Sequence, residues 1–245
     1  MTTITILKRV SVLFLALGIF SCNSGTSNSN ETKTDSTKAD TTTAIAHAPV
    51  AAPSMAAPFD VEEVSSKIKS YAAWRPVFDS DSVNRKAAGL DNIAIGRNMA
   101  DSNEIIAAFK IDDVAKAKAF SADPKLKASM NKAGVISKPE FAYWHVIRFN
   151  PDSHEKQWLE VTHRVKDFNA WLKVYDGEDA AKRPSEGTVD VAVARGIDDS
   201  NMVKVVLDIT DLAKAKAAIS SEAKKKLMMS AGVEGKPDIQ FYREP

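Results

Sequence analysis

The stretch Asp211-LAKAKAAISSEAKKKLMMSAGVEGKPD-Ile239 repeats, one period later, what Asp113-VAKAKAFSADPKLKASMNKAGVISKPE-Phe141 has already said. A shift of 98 residues superposes Asp113 on Asp211, Ala115–Ala119 on Ala213–Ala217, Met130 on Met228 and Ala133-Gly134-Val135 on Ala231-Gly232-Val233. Working outward, the same shift aligns Gly89 with Gly187, Arg97 with Arg195 and Asp101-Ser102-Asn103 with Asp199-Ser200-Asn201. Before Gly89 the offset is 97, pairing Trp74 with Trp171 and Phe78 with Tyr175, so one residue separates the copies near the first helix. The period is too long for a solenoid, and each copy is expected to be a small domain.

One copy reads in order. Val64–Lys69 and Val161–Lys166 are short β-branched runs with the period of a strand. In the segments that follow, Trp74 and Phe78, and Trp171 and Tyr175, lie four apart on one helical face, with Pro76 expected in the first turn and Pro184 expected to end its helix. Asn92–Met99 and Val189–Ile197 read as second strands, the Asp-Ser-Asn triplets as turns, and Glu104–Ile111 and Met202–Ile209 as third strands. Asp112-Asp113 and Thr210-Asp211 supply the N-cap of an Ala/Lys helix that Gly134 and Gly232 terminate, its alanines toward the sheet and its lysines toward water. Phe141–Ile147 and Ile239–Glu244 close each copy as fourth strands, after Pro139 and Pro237.

The order β-α-β-β-α-β predicts an α+β fold: two ferredoxin-like repeats, over residues 59–150 and 151–245, each a four-stranded antiparallel sheet with helices on one face. The bare face of each sheet needs a cover, and the other copy supplies it. Trp and an aromatic in the first helix, Arg in the second strand, the D-S-N turn, the D-x-AKAKA helix and the AGV…KP exit together resemble the dimeric α/β-barrel of antibiotic biosynthesis monooxygenase-like proteins. The resemblance implies that intramolecular pairing of the repeats replaces a second subunit, forming one pseudo-dimeric barrel. It also implies a range of activities, from cofactor-independent oxygenation and isomerisation to haem degradation. Neither helix of either copy carries the axial histidine that a haem-degrading relative would need, and no cofactor is expected.

The N-terminus carries a different message. Lys8-Arg9 precede the apolar run Val10–Phe20, which is shorter than the roughly 20 residues a membrane-spanning helix requires. Ser21-Cys22 follows, and Cys22 is the single cysteine, so no intramolecular disulfide can form. Ile19-Phe20-Ser21-Cys22 resembles the lipobox of bacterial lipoproteins, although Phe20 stands where a small residue is usual. That resemblance implies a signal peptide over residues 1–21, acylation of Cys22 and a lipid-anchored place in the cell envelope. Residues 22–58 are rich in Ser, Thr, Asn, Ala and Pro and read as a disordered tether. Without residues 1–21 the chain holds 31 basic against 32 acidic residues, a balance that gives no electrostatic reason to expect nucleic acid.

Candidate site residues are few. His145 and His163 are the histidines placed on strands, each without a counterpart in the other copy, and either could serve as a general base. Arg97 and Arg195 recur and could anchor an anionic group. Trp74 with Phe78, and Trp171 with Tyr175, could wall an apolar pocket between helix and sheet. Glycine-rich phosphate loops, nucleophile elbows, zinc-protease motifs and cysteine metal clusters are absent from the sequence. On these grounds the sequence favours non-catalytic binding of a small, partly apolar ligand or an envelope partner. A cofactor-independent monooxygenase- or isomerase-like enzyme and a structural surface protein stand as alternatives.

Overall fold

The structure, a computed structural model, describes residues 58–178 and 181–245. The proposed leader, Cys22 and nearly all of the tether lie outside the described residues. The first repeat runs β1 (Phe59–Lys67), α1 (Tyr71–Ser80), α2 (Ser82–Ala87), β2 (Leu90–Asn98), β3 (Glu104–Ile111), α3 (Val114–Ser121), α4 (Pro124–Lys132) and β4 (Glu140–Phe149). The second runs β5 (Gln157–Val165), α5 (Phe168–Asp176), α6 (Lys182–Ser185), β6 (Thr188–Gly196), β7 (Met202–Ile209), α7 (Leu212–Ser220), α8 (Glu222–Ser230) and β8 (Val233–Arg243).

Each repeat forms an antiparallel sheet in the order 4-1-3-2 of its own strands, and the two sheets join at β4–β6 and β2–β8 into a closed eight-stranded barrel. The β4–β6 seam pairs five residues and the β2–β8 seam two. A bulge between Asn92 and Ala94 in β2 recurs 98 residues later between Asp190 and Ala192 in β6. An extra residue in one strand sharpens its twist, so these paired bulges help each sheet curl toward closure.

Strand alternation then divides every side chain between two environments. On β1, Val64 packs with Ile68 under the helices of its own repeat, while Val61 and Glu63 point into the barrel. On β5, Leu159, Val161, His163 and Val165 face the helices, while Trp158 and Glu160 face inward. Two helix–sheet cores result, one per repeat, with smaller apolar clusters inside the barrel around Trp144 and Trp158.

Several local expectations change. The first strands begin at Phe59 and Gln157, because the inward-facing Glu63 and Glu160 break the apolar run without breaking the strand. The Ala/Lys helix is two helices in each repeat. Asp123 caps α4 by accepting from the Lys125 amide at 2.8 Å with Pro124 in its first turn, and Ser221 caps α8 by accepting from Lys224 at 3.1 Å. Asp113 and Asp211 do cap α3 and α7, and Ala117 and Ala215 are the buried residues on those helices. Pro76 lies inside α1 and not in its first turn, α5 ends at Asp176 well before Pro184, and Pro237 lies within β8 beside a register shift in its pairing with β5.

Candidate functional site

Among the described residues, three of the cavities follow from this arrangement: one between helices and sheet in each repeat, of about 60 Å³ in the first and about 80 Å³ in the second, and a barrel interior of about 640 Å³, while a further cavity of about 360 Å³ lies between α2 and the α3–α4 corner.

The second repeat's cavity gathers three of the sequence candidates. β5 aims His163 toward α5, whose Trp171 and Tyr175 sit one turn apart and stack at 5.0 Å between ring centroids, with the His163 ring 5.6 Å from Trp171. Val174, Ala215, Ile219 and Met228 complete an apolar wall. His163 is 5 % exposed, and neither ring nitrogen has a hydrogen-bond partner. Burial alone drives its pKa down to about 4, so at neutral pH it is an uncharged imidazole facing an apolar space.

The rim of that cavity is ionic. Tyr175 donates its hydroxyl to Asp190 at 2.7 Å, and burial, followed by the Asp190 charge, holds its pKa well above the usual tyrosine range. The Arg183 guanidinium lies 3.9 Å over the Tyr175 ring and pairs with Asp190 and Glu178. Lys224 on α8 bridges Glu178 at 2.8 Å and Glu186 at 2.9 Å, tying that helix across the cavity.

The first repeat builds a related cavity with different chemistry. Trp74 and Phe78 stack at 4.5 Å, and Arg85, the counterpart of Arg183, lies 3.8 Å over Phe78. Ser66 stands where the second repeat has His163, and Glu62, 2 % exposed, where it has Leu159. Burial pushes the Glu62 carboxyl up to about 7, against hydrogen bonds from Ser121 and then Tyr143 that favour its charged form.

The remaining candidates are elsewhere. His145 is exposed on β4 and bonds Asp60 at 2.7 Å. Arg97 donates Nε–H to the Ser102 carbonyl at 2.8 Å with its guanidinium over Tyr71, and Arg195 donates to the Ser200 carbonyl at 3.1 Å with its guanidinium over Phe168. Both arginines therefore lock the Asp-Ser-Asn turn against the first helix, and neither lines these three cavities. Their recurrence follows the recurring turn.

The barrel interior holds a set that the sequence reading passed over. Lys204 on β7 pairs with Glu63 of β1 and, at 2.7 Å, with Glu160 of β5, which also accepts from Trp158 Nε1 at 3.0 Å. Glu63 and Glu160 are repeat equivalents at the offset of 97, which is the signal that could have found them. Burial, then the Glu160 charge, raises Glu63 to about 7 even beside the ammonium. Burial opposes the charge on Lys204, but Glu160 and then Glu63 outweigh it and hold its pKa above the usual lysine range. Among the described residues no group of three or more His, Cys, Asp or Glu is placed to hold a metal ion, and no helix is long and apolar enough to cross a membrane.

No family model matches the chain, and no curated protein matches it. Solved structures do. A proposed monooxygenase of Fusobacterium nucleatum aligns at 12% identity over 77% of this chain and 92% of its own, with a TM-score of 0.52. An anthrone oxidase-like protein aligns at 10% identity over 76% and 90%, with a TM-score of 0.53. An uncharacterised ferredoxin-fold protein of Listeria monocytogenes related to antibiotic biosynthesis monooxygenases aligns at 8% identity over 76% and 95%, with a TM-score of 0.46. Likeness at this level of identity concerns the backbone alone, and the chain has the α+β, ferredoxin-like fold of monooxygenase-like proteins, with two repeats closed into one barrel.

Proposed function

We propose that the chain is a cofactor-independent oxygenase acting on a small, apolar, enolisable molecule in the second repeat's cavity, with His163 as the base. The observation that carries this reading is the His163 imidazole, buried, neutral and with both nitrogens unpartnered in an apolar cavity. A plain apolar binding pocket gains nothing from such a group. Leaving a buried polar atom unsatisfied costs about 1–3 kcal/mol, and a phenylalanine would avoid that cost. Non-catalytic binding, favoured on sequence alone, is therefore set behind the enzyme. The names of the two structural neighbours with TM-scores above 0.5 agree with oxygenation, but at 10% and 12% identity they lend it no residues.

The chemistry needs no resident metal. His163 removes a proton from an activated CH₂, the resulting carbanion passes its electrons to dioxygen, and loss of water leaves a carbonyl, so that CH₂ and O₂ become C=O and H₂O. A pKa of about 4 makes imidazole a weak base in isolation. The substrate anion formed beside it would stabilise the imidazolium, so its basicity rises only as the proton moves. A cavity of about 80 Å³ accommodates dioxygen, whereas a ring-sized substrate requires α8 to shift outward against its Lys224 contacts with Glu178 and Glu186.

An oxygen electrode with anthrone as probe tests the proposal. His163→Ala is expected to slow consumption roughly 100-fold or more, the usual range for a lost general base. Activity of the parent should hold above pH 6.5 and fall as pH drops through about 4, where the folded imidazole takes its proton. Consumption by the variant at the parent's rate would remove His163 from the mechanism. Turnover without oxygen uptake would reassign the site to an isomerase.

The cellular setting belongs to the same proposal. We place the enzyme on the bacterial envelope, held by acyl chains on Cys22, and two or more such chains give stable anchoring. Labelled palmitate should enter the parent and not Cys22→Ala, and the variant should leave the membrane fraction. Equal labelling of both would sink the anchor.

A further inference from the structure

We infer that the barrel interior is a second binding site, distinct from the His163 cavity, for a small organic monocation whose aromatic body carries a hydroxyl or carbonyl acceptor. Its volume of about 640 Å³ falls within the 300–1,000 Å³ typical of small-molecule sites. Phe59, Trp144, Phe149 and Trp158 supply aromatic walls drawn from both repeats.

The charges inside are unequal. Glu63 and Glu160 share one ammonium, that of Lys204, so the fully ionised set keeps one surplus negative charge. Glu160 is occupied by two donors, Lys204 and Trp158 Nε1. Glu63 has Lys204 alone, keeps 14% of its side-chain surface open and lines the cavity. The other charged groups lining the cavity add to the imbalance. Glu155, Asp208 and Glu244 are acidic, and the cation Arg75 is already held by Asp79 at 2.8 Å. A surplus carboxylate in a part-buried, aromatic-walled space calls for a cation, which would bind Glu63 by a charge-assisted hydrogen bond.

A second and independent observation fixes the rest of the ligand. Trp144 is 6% exposed and lines the cavity, yet its Nε1–H has no partner. Indole nitrogen donates only, so the missing group is an acceptor. Trp158, on the opposite sheet, shows the satisfied case, with its Nε1–H bound to Glu160. An amine at Glu63 and an oxygen at Trp144 therefore define the two polar ends of the occupant, and the aromatic walls its middle.

Titration calorimetry on the full chain, with tyramine as probe, tests this assignment. 4-Ethylphenol is the neutral counterpart and 3-(4-hydroxyphenyl)propionate the anionic one. Tyramine is expected to bind at least tenfold more tightly than 4-ethylphenol, with no heat from the propionate, a ratio in keeping with one charge-assisted hydrogen bond. Glu63→Gln should remove that preference, and Trp144→Phe should weaken tyramine several-fold while leaving the charge set intact. Thermal melting confirms that each variant is folded. His163→Ala should leave tyramine binding unchanged, which separates this site from the proposed catalytic cavity. The inference is overturned if the neutral probe binds as tightly as tyramine, if Glu63→Gln binds tyramine as the parent does, or if none of the three probes binds at millimolar concentration.

Discussion

Replacing Lys204 with methionine is expected to destabilise the fold by about 3–5 kcal/mol at pH 8 and by much less at pH 5. Lys204 is the one ammonium between two carboxylates contributed by different repeats, the part-buried Glu63 and the buried Glu160. Removing it leaves like charges facing each other with little exposure to water, and breaking one side of such an ion set is far more damaging than never having had it. The sign of the pH dependence follows from Glu63. Its folded pKa is about 7 against an ordinary 4.5, so the folded chain holds a proton that the unfolded chain has released across that window. Stability is accordingly greatest below the unfolded value and declines as pH rises toward 7. Without Lys204 the carboxyl loses its attractive partner, its pKa climbs further, and the decline extends to higher pH. Urea midpoints at the two pH values read this directly. Adding Glu63→Gln to Lys204→Met should recover much of the loss at pH 8. A loss equal at both pH values would mean that packing, and not charge, is what Lys204 provides. The first repeat offers a precedent for an uncharged residue, since its equivalent position is Ile106, 4% exposed in the same cavity.

That position also shows where the sequence stops being readable. In Met-Val-Lys-Val-Val-Leu-Asp-Ile the lysine and aspartate alternate with apolar residues, and a half-buried strand shows the same pattern with its charges in water. Closing two sheets into a barrel turns the face that an open sheet would solvate into an interior. Lys204, Glu160 and Asp208 are thereby buried without any change in local pattern. The 98-residue period carried the architecture because it is a global signal, insensitive to which face of a strand is wet. The Trp171–Tyr175 pair was legible because helical spacing alone fixes it, and His163 because an isolated titratable group on a strand is conspicuous. Arg97 and Arg195 misdirect a reading that equates repetition with a site, for both repeat because the turns they fasten repeat. The two sites proposed for this molecule lie instead where the repeats differ: His163 against Ser66, Leu159 against Glu62, Lys204 against Ile106.

The same divergence predicts unequal outcomes from one substitution made at two equivalent glycines. Gly89 and Gly187 each precede a second strand, with φ of 77° and 76°, and each accepts a backbone hydrogen bond from the far end of the third strand's loop, from Asp112 and from Thr210 and Asp211. Alanine at either site pays the left-handed backbone cost of about 1–2 kcal/mol. At Gly89 the new methyl would meet Asp112 Cβ at 3.5 Å, an ordinary contact, and the loss should end there. At Gly187 it would lie 2.5 Å from the Asp211 carbonyl oxygen and 2.9 Å from Asp211 Cβ, and backbone cannot swing aside as a long side chain can. Relief requires β6 to separate from the start of α7, where Asp211 caps the helix through the Lys214 amide. Thr188 and Ala215, both lining the His163 cavity, stand on the two elements that would part. Gly187→Ala is therefore expected to lose about 3 kcal/mol or more, combining strain with overpacking, and to impair the activity proposed for His163. Gly89→Ala should leave that activity near the parent level. Equal losses in urea for the two variants would mean that the second repeat yields around Asp211 as easily as the first does around Asp112, and that its cavity is less rigidly held than the contacts at Gly187 require.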